Sequence, residues 1–174
     1  TAAYVPVASR AHQGPGLPLA EVLKALKPTL ESANTAKYGQ NIKYDEIVMA
    51  RHGVRLSGVV FDTMIASYLA DPLKRNHNLD DLSLEYLNVT KITTESLIGK
   101  GAKQITMDAV PLEQITAYAC EDADCVMRLV PLLKAKLEER GVAELYKEIE
   151  LPLSAVLARI EMNGVALDLD FLKG

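Results

Sequence analysis

Between Ser57 and Asp71 the chain reads SGVVFDTMIASYLAD, and its periodicity changes inside that run. It begins as a buried strand, becomes helical around Asp62 and ends near Pro72. A strand passing straight into a helix is the building unit of a sheet with helices packed on its faces. The same unit precedes it. AKYGQ reads as a short strand, and from Asp45 a helical pattern through Ile47, Val48 and Ala50 stops at Gly53. Further upstream, AAYVPVA is a third strand candidate, with Pro6 marking an edge. Gly14, Pro15, Gly16 and Pro18 break regular structure between Arg10 and Pro18, and Leu19–Leu30 carries apolar residues at helical spacing. Downstream, NLDDLSLEYLN reads as a helix capped by Asn78, and Leu112 to Arg140 as one long helix or two abutting ones. A last helix runs from about Glu144 to Met162, with Asn163-Gly164 as its stop and Pro152 as a kink or restart. The fold class is therefore α/β, with fewer strands than a sheet of this type usually has.

At 174 residues, 49% hydrophobic and 24% charged, the chain buries one core, with a stub of a second domain at most. A net charge of −4 argues against a broad basic footprint on duplex nucleic acid, though not against a narrow groove holding a few nucleotides. Cys120 and Cys125 are too few for a zinc site and diverge on a helix, so they read as reduced, core-facing thiols of a cytoplasmic protein. No apolar run reaches membrane-spanning length. The chain starts at Thr1 inside a strand-like stretch, which reads as a piece of something longer.

Two constellations carry chemistry. In KYGQNIKYDEIV, Asn41, Tyr44 and Asp45 stand between a strand and a helix. In ITAYACEDADCVMRL, Tyr118 and Asp122 are four residues apart, about 40° around a helix axis, and share one face. Gathered carboxylates suit hard divalent cations, and a neighbouring phenol can orient a water molecule. The plainer reading makes Asp45 a helix cap and Tyr118–Asp122 a half-exposed helix face. His52 and His77 are isolated. GKGAK (99–103) lacks the spacing and the feeding strand of a phosphate loop.

YGQNIKYD (38–45) and YACEDAD (118–124) resemble the second and third motifs of proofreading 3′–5′ exonucleases. FDTMIASYLAD, HNLDDLSLEYL, IGKGAKQIT and LPLSAVLARIEMNGVALD are similar, in order, to the bacterial DNA polymerase I family. That resemblance implies a ribonuclease H-like exonuclease fold whose sheet lacks N-terminal strands. It divides the chain into an exonuclease domain over 1–147 and the opening of a polymerase domain over 148–174. It implies that Asp45 and Asp122 hold metal ions, Mg²⁺ or Mn²⁺, two in a complete domain. Tyr118 would orient the attacking water, and Gln40, Asn41 and Tyr44 would line the single-stranded 3′ end of DNA. Its partners would be that DNA end and the polymerase domain of the same parent chain, in the bacterial cytoplasm at the nucleoid.

The chain departs from the family at one decisive place: no Asp-x-Glu pair, the family's first motif, occurs anywhere in it. Asn76 and Thr94 stand where some relatives carry Arg and Phe against DNA. Two other functions remain open on sequence: a ribonuclease D-like RNA exonuclease, against which the LPLSAVLARIEMNGV tail speaks, and an inert spacer supporting a polymerase.

Overall fold

The computed structural model describes residues 1–7 and 16–173, so most of the irregular stretch expected from Arg10 to Pro18 lies outside the described residues. Among those described, two parallel strands form the sheet: β1 (Lys37–Gly39) and β2 (Val59–Asp62). Tyr38 pairs with Phe61 and Gly39 with Asp62, with an irregularity between Lys37 and Tyr38. Parallel neighbours cannot be joined by a tight turn, and the crossover is made by α2 (Ile42–Arg51).

Over its described residues, 2–7, AAYVPVA does not form the expected strand. Its one pairing is an isolated parallel bridge from Val7 to Leu17, with the Leu17 N–H donating to the Pro6 carbonyl at 2.8 Å. Pro6 has no N–H to extend a ladder. The following α1 (Leu19–Leu30) buries only Val22, and Leu19 and Leu26 of its apolar stripe stay exposed.

Strand β2 passes into α3 (Thr63–Ala70) without a loop. Helix α4 (Leu79–Leu87) is capped as expected, the Asn78 side chain accepting the Asp81 N–H at 2.8 Å. A short α5 (Thr94–Ile98) and two 3₁₀ turns, Gly101–Lys103 and Met107–Ala109, follow it. Helix α6 (Leu112–Glu139) is a single helix despite Pro131. Pro131 and Met127, whose carbonyl loses its partner, both lie on the solvent side, where water can replace the missing donor.

After α7 (Ala143–Leu145) the chain makes a π-helical turn, Tyr146–Glu150, and continues as α8 (Leu151–Asn163); α9 (Leu169–Lys173) ends it. In regular α-helix the Pro152 ring would meet the carbonyl of Glu148, and the widened turn just before it accommodates this conflict.

The core joins β2, α3, α4, α6 and the π turn through Phe61, Ala66, Leu82, Leu129, Val130, Leu133, Leu137 and Tyr146. Leu129 and Leu133 are fully buried, each contributing about 1.5–3 kcal/mol of transfer free energy. Cys125 is buried, but Cys120 is only half-buried, contrary to expectation. Five residues on a helix separate two side chains by about 140°, too far for both to point inward. Helix α8 rests on α2, with a Lys43–Glu161 ion pair between them; it buries Ser154 and Ala158, while Ile149, Leu153, Val156, Leu157 and Ile160 stay exposed.

Candidate active site

Helix α2 starts at Ile42, so Asp45 lies a turn inside it and is not its cap. The cap position is Asn41, in the left-handed region at φ 55°, ψ 48°, with no side-chain capping bond. The acceptor for this helix start comes from elsewhere. Asp62, at the end of β2 and 1% exposed, accepts the Asn41 N–H at 3.2 Å and the Ile42 N–H at 2.7 Å. The same carboxylate caps α3, accepting from Met64 N at 2.8 Å and Ile65 N at 3.2 Å. One buried aspartate thus holds two helix N-termini side by side, where their orphan donors and dipoles favour a negative charge.

This fixes the turn that carries Gln40, Asn41, Tyr44 and Asp45. The Gln40 amide is spent inside the fold: its Nε2 donates to the His77 carbonyl at 2.8 Å and its Oε1 accepts from the Thr63 hydroxyl. Tyr44 is 68% exposed, an aromatic face available for stacking. Asp45 reaches the surface, yet partial desolvation of its carboxyl pushes its pKa above the ordinary aspartate range, and the Asp62 charge adds to that shift.

Tyr118 and Asp122 share a face of α6, as their spacing predicts, and both meet the segment between α4 and α5. The Asp122 Oδ1 is ion-paired with the Lys91 ammonium, which also lies 3.1 Å from Asp80 Oδ1 and 5.3 Å from the centre of the Tyr118 ring. The Tyr118 hydroxyl is 3.1 Å from the Thr94 hydroxyl, and the Ile92 N–H donates to Glu121 Oε2 at 2.7 Å. Burial would depress the Lys91 pKa, but hydrogen bonds with Asp122 and then Asp80 outweigh it and leave it raised.

Carboxylate oxygens at Asp45 and Asp122 have the chemistry a hard divalent cation takes. Their number is short: among the described residues no three His, Cys, Asp or Glu side chains group to hold a metal. Sequence reasoning had no signal for Lys91, a lysine in a polar stretch. Asp62 had one, an Asp-Thr pair at a strand-to-helix junction. His77 is not isolated: its Nδ1 is 2.8 Å from the Ser67 hydroxyl.

A family model described as 3′–5′ exonuclease matches residues 1–138. DNA polymerase I of Pseudomonas aeruginosa is 44% identical over 178 residues, covering 98% of this chain and 19% of that protein. DNA polymerase I of Chloroflexus aurantiacus is 38% identical, covering 99% of this chain and 18% of its own length. The chain therefore spans about a fifth of these relatives. Among solved structures, the polymerase domain of Pol1 from M. smegmatis, in complex with DNA primer-template and dNTP, aligns with TM-score 0.73 and 27% identity over 92% of this chain and 24% of that one. Brucella melitensis NrnC, at TM-score 0.65 and 22% identity over 88% of this chain and 68% of its own, shares the ribonuclease H-like α/β fold. The chain belongs to the 3′–5′ exonuclease family of bacterial DNA polymerase I.

Proposed function

We propose that the chain is the proofreading segment of a bacterial DNA polymerase I, removing the 3′-terminal nucleotide of single-stranded DNA. The family match over residues 1–138, which contains both Tyr44-Asp45 and Tyr118–Asp122, carries this reading. The family generally uses divalent metals. In the complete protein Asp45 and Asp122 would hold Mg²⁺ or Mn²⁺, two ions in all, which supply Lewis-acid chemistry for phosphodiester hydrolysis. Tyr118 orients the attacking water through a hydroxyl fixed by Thr94. Tyr44 offers its exposed ring to a base of the frayed end, and base–aromatic stacking tolerates any sequence. Asn41 lines the same strand. Gln40, engaged at both ends of its amide, contributes by holding the turn that presents them. We place the domain boundary between 147 and 148, inside the π turn, with 148–174 opening the polymerase domain, its partner in the same parent chain. Such a protein works in the cytoplasm at the nucleoid; no described helix is long and apolar enough to cross a membrane.

The test uses 5′-labelled single-stranded DNA and RNA with Mg²⁺ or Mn²⁺. This chain by itself is expected to give no shortening, because it has no Asp-x-Glu and its described residues gather too few ligands. A polymerase of full relative length carrying this segment is expected to shorten DNA from the 3′ end. Asp122→Ala should abolish that while polymerisation persists, and Tyr118→Phe should slow it by about 10²–10⁴-fold at most. Exonuclease activity unchanged by Asp122→Ala, or a preference for RNA, sinks the assignment.

A further inference from the structure

Beyond the turn at Gln40–Asp45, an open groove of about 480 Å³ lies between α3 and the segment that leads into α4. Met64, Ile65 and Tyr68 line it from α3, where residues three and four apart share a face. Arg75 and His77 line it from the segment before α4, and Glu150 of the π turn borders it. Tyr68 is 52% exposed, yet a partner sets the orientation of its ring: the His77 ring meets it nearly edge-on, at 79° and 5.6 Å between centres. His77 is itself held at two points. Its Nδ1 is 2.8 Å from the Ser67 hydroxyl, and its carbonyl accepts the Gln40 amide at 2.8 Å. One residue thus registers the Tyr68 ring against the turn that presents Asn41 and Tyr44. Arg75 is exposed and has no ion-pair partner among the described residues. A solvated face accounts for an exposed tyrosine or an exposed arginine taken singly. It does not account for a ring aimed by a histidine that is tied to the candidate site, beside an unpaired guanidinium in an apolar groove.

We propose that this groove is a second nucleotide subsite, in which the Tyr68 ring stacks on a base upstream of the 3′-terminal nucleotide and Arg75 holds a phosphate of the same strand. This rests on the reading of the turn as the seat of a single-stranded 3′ end. The groove is continuous with that turn through the Gln40–His77 bond, and its other border is the π turn, from which the proposed polymerase segment continues. A strand leaving the turn toward that segment crosses the groove. Stacking is indifferent to base identity, and a guanidinium takes phosphate oxygens in pairs, so the subsite grips a strand without reading its sequence. Glu150 repels phosphate and leaves Arg75 as the place for it.

The experiment titrates the whole chain at low salt with thymidine monophosphate and with a short oligothymidylate. Binding is followed by the Tyr44 and Tyr68 ring resonances, for the unaltered protein, Tyr68→Ala, Tyr68→Phe and Arg75→Gln. Thermal melts check that each is folded. The mononucleotide is expected to move the Tyr44 ring alone, and the oligonucleotide both rings. Tyr68→Ala should weaken oligonucleotide binding about tenfold to a hundredfold and leave the mononucleotide affinity unchanged. Tyr68→Phe, which keeps the ring, should stay near the unaltered affinity. Arg75→Gln should weaken the oligonucleotide and flatten its salt dependence, by roughly 0.7 in the slope of log affinity against log salt. A structural contact alone would lower the melting temperature of Tyr68→Ala and leave both affinities where they were. Oligonucleotide affinity unchanged in Tyr68→Ala and Arg75→Gln, with Tyr44 still shifting, overturns the subsite and leaves the turn as the seat of the 3′ end. No shift at Tyr44 with either ligand overturns that reading, and this inference with it. If Tyr68→Ala does not fold, the unaltered chain decides: a Tyr68 ring unmoved by the oligonucleotide overturns the proposal.

Discussion

Asp62 accepts four backbone N–H groups from two helices at 1% exposure, so replacing it strands donors as well as removing a charge. Asp62→Ala is expected to cost about 3 kcal/mol or more in urea unfolding, combining a lost cap with buried unsatisfied donors. Asp62→Asn, which keeps one acceptor oxygen, should cost less; a change below about 1 kcal/mol for the alanine variant would refute the shared-cap account. Asp45 shows the opposite sign. Its folded pKa lies above its ordinary value, chiefly through desolvation, so the folded state binds the proton more tightly than the unfolded one. That part of stability is greatest below the ordinary aspartate pKa and is lost as pH rises through the folded pKa. Asp45→Asn removes the penalty. Its melting temperature should exceed that of the unaltered chain at pH 7 and match it near pH 3, by a modest margin because solvent screens so exposed a group. A residue that costs stability where it stands suits a functional role.

The elements meet at closely packed junctions. Gly58, just before β2, has φ 73°, and a Cβ there would sit 2.5 Å from the Thr35 carbonyl and 2.8 Å from that of Ser32. The turn leading into β1 therefore runs directly across the start of β2. Gly58→Ala adds a left-handed penalty to a clash with backbone, and should lower stability by about 3 kcal/mol or more, measured by chemical denaturation. A near-neutral result would mean the two strands do not approach this closely. On the other side of β2, the Tyr146 hydroxyl accepts the Asp62 N–H at 2.7 Å, and its ring lies 5.0 Å from Phe61. Burial pushes that phenol's pKa above its ordinary value, which favours its neutral, hydrogen-bonding form. The element types were legible because their signals are local: Asn78 before an apolar run, Asn163-Gly164 after one, and the period change at Asp62. The start of α2 was misread at Asp45 because its capping carboxylate lies twenty residues away on another strand.

At the scale of the whole molecule, the tail helix leaves Ile149, Leu153, Val156, Leu157 and Ile160 uncovered, at 39–56% exposure. The residues it buries are the small Ser154 and Ala158 instead. An apolar stripe this long invites association with a copy of itself. The chain is expected to self-associate by light scattering, and Leu153→Glu with Leu157→Glu together should return it to monomer. A monomer indifferent to that double substitution would show that this stripe does not drive contact between copies.

The sequence by itself determined the order and kind of most elements, because strand and helix periods, caps and breakers act over a few residues. It also determined which polar pair shares a face, since Tyr118 and Asp122 lie one turn apart on a single helix, and the motif order determined the family resemblance. Only the tertiary structure decided what those polar groups touch. Lys91 is thirty-one residues before Asp122 and Asp62 twenty-one after Asn41, and nothing local marks either pairing. Burying a charge is favourable only when a partner arrives from another element, and that arrival is a property of packing, not of spacing along the chain.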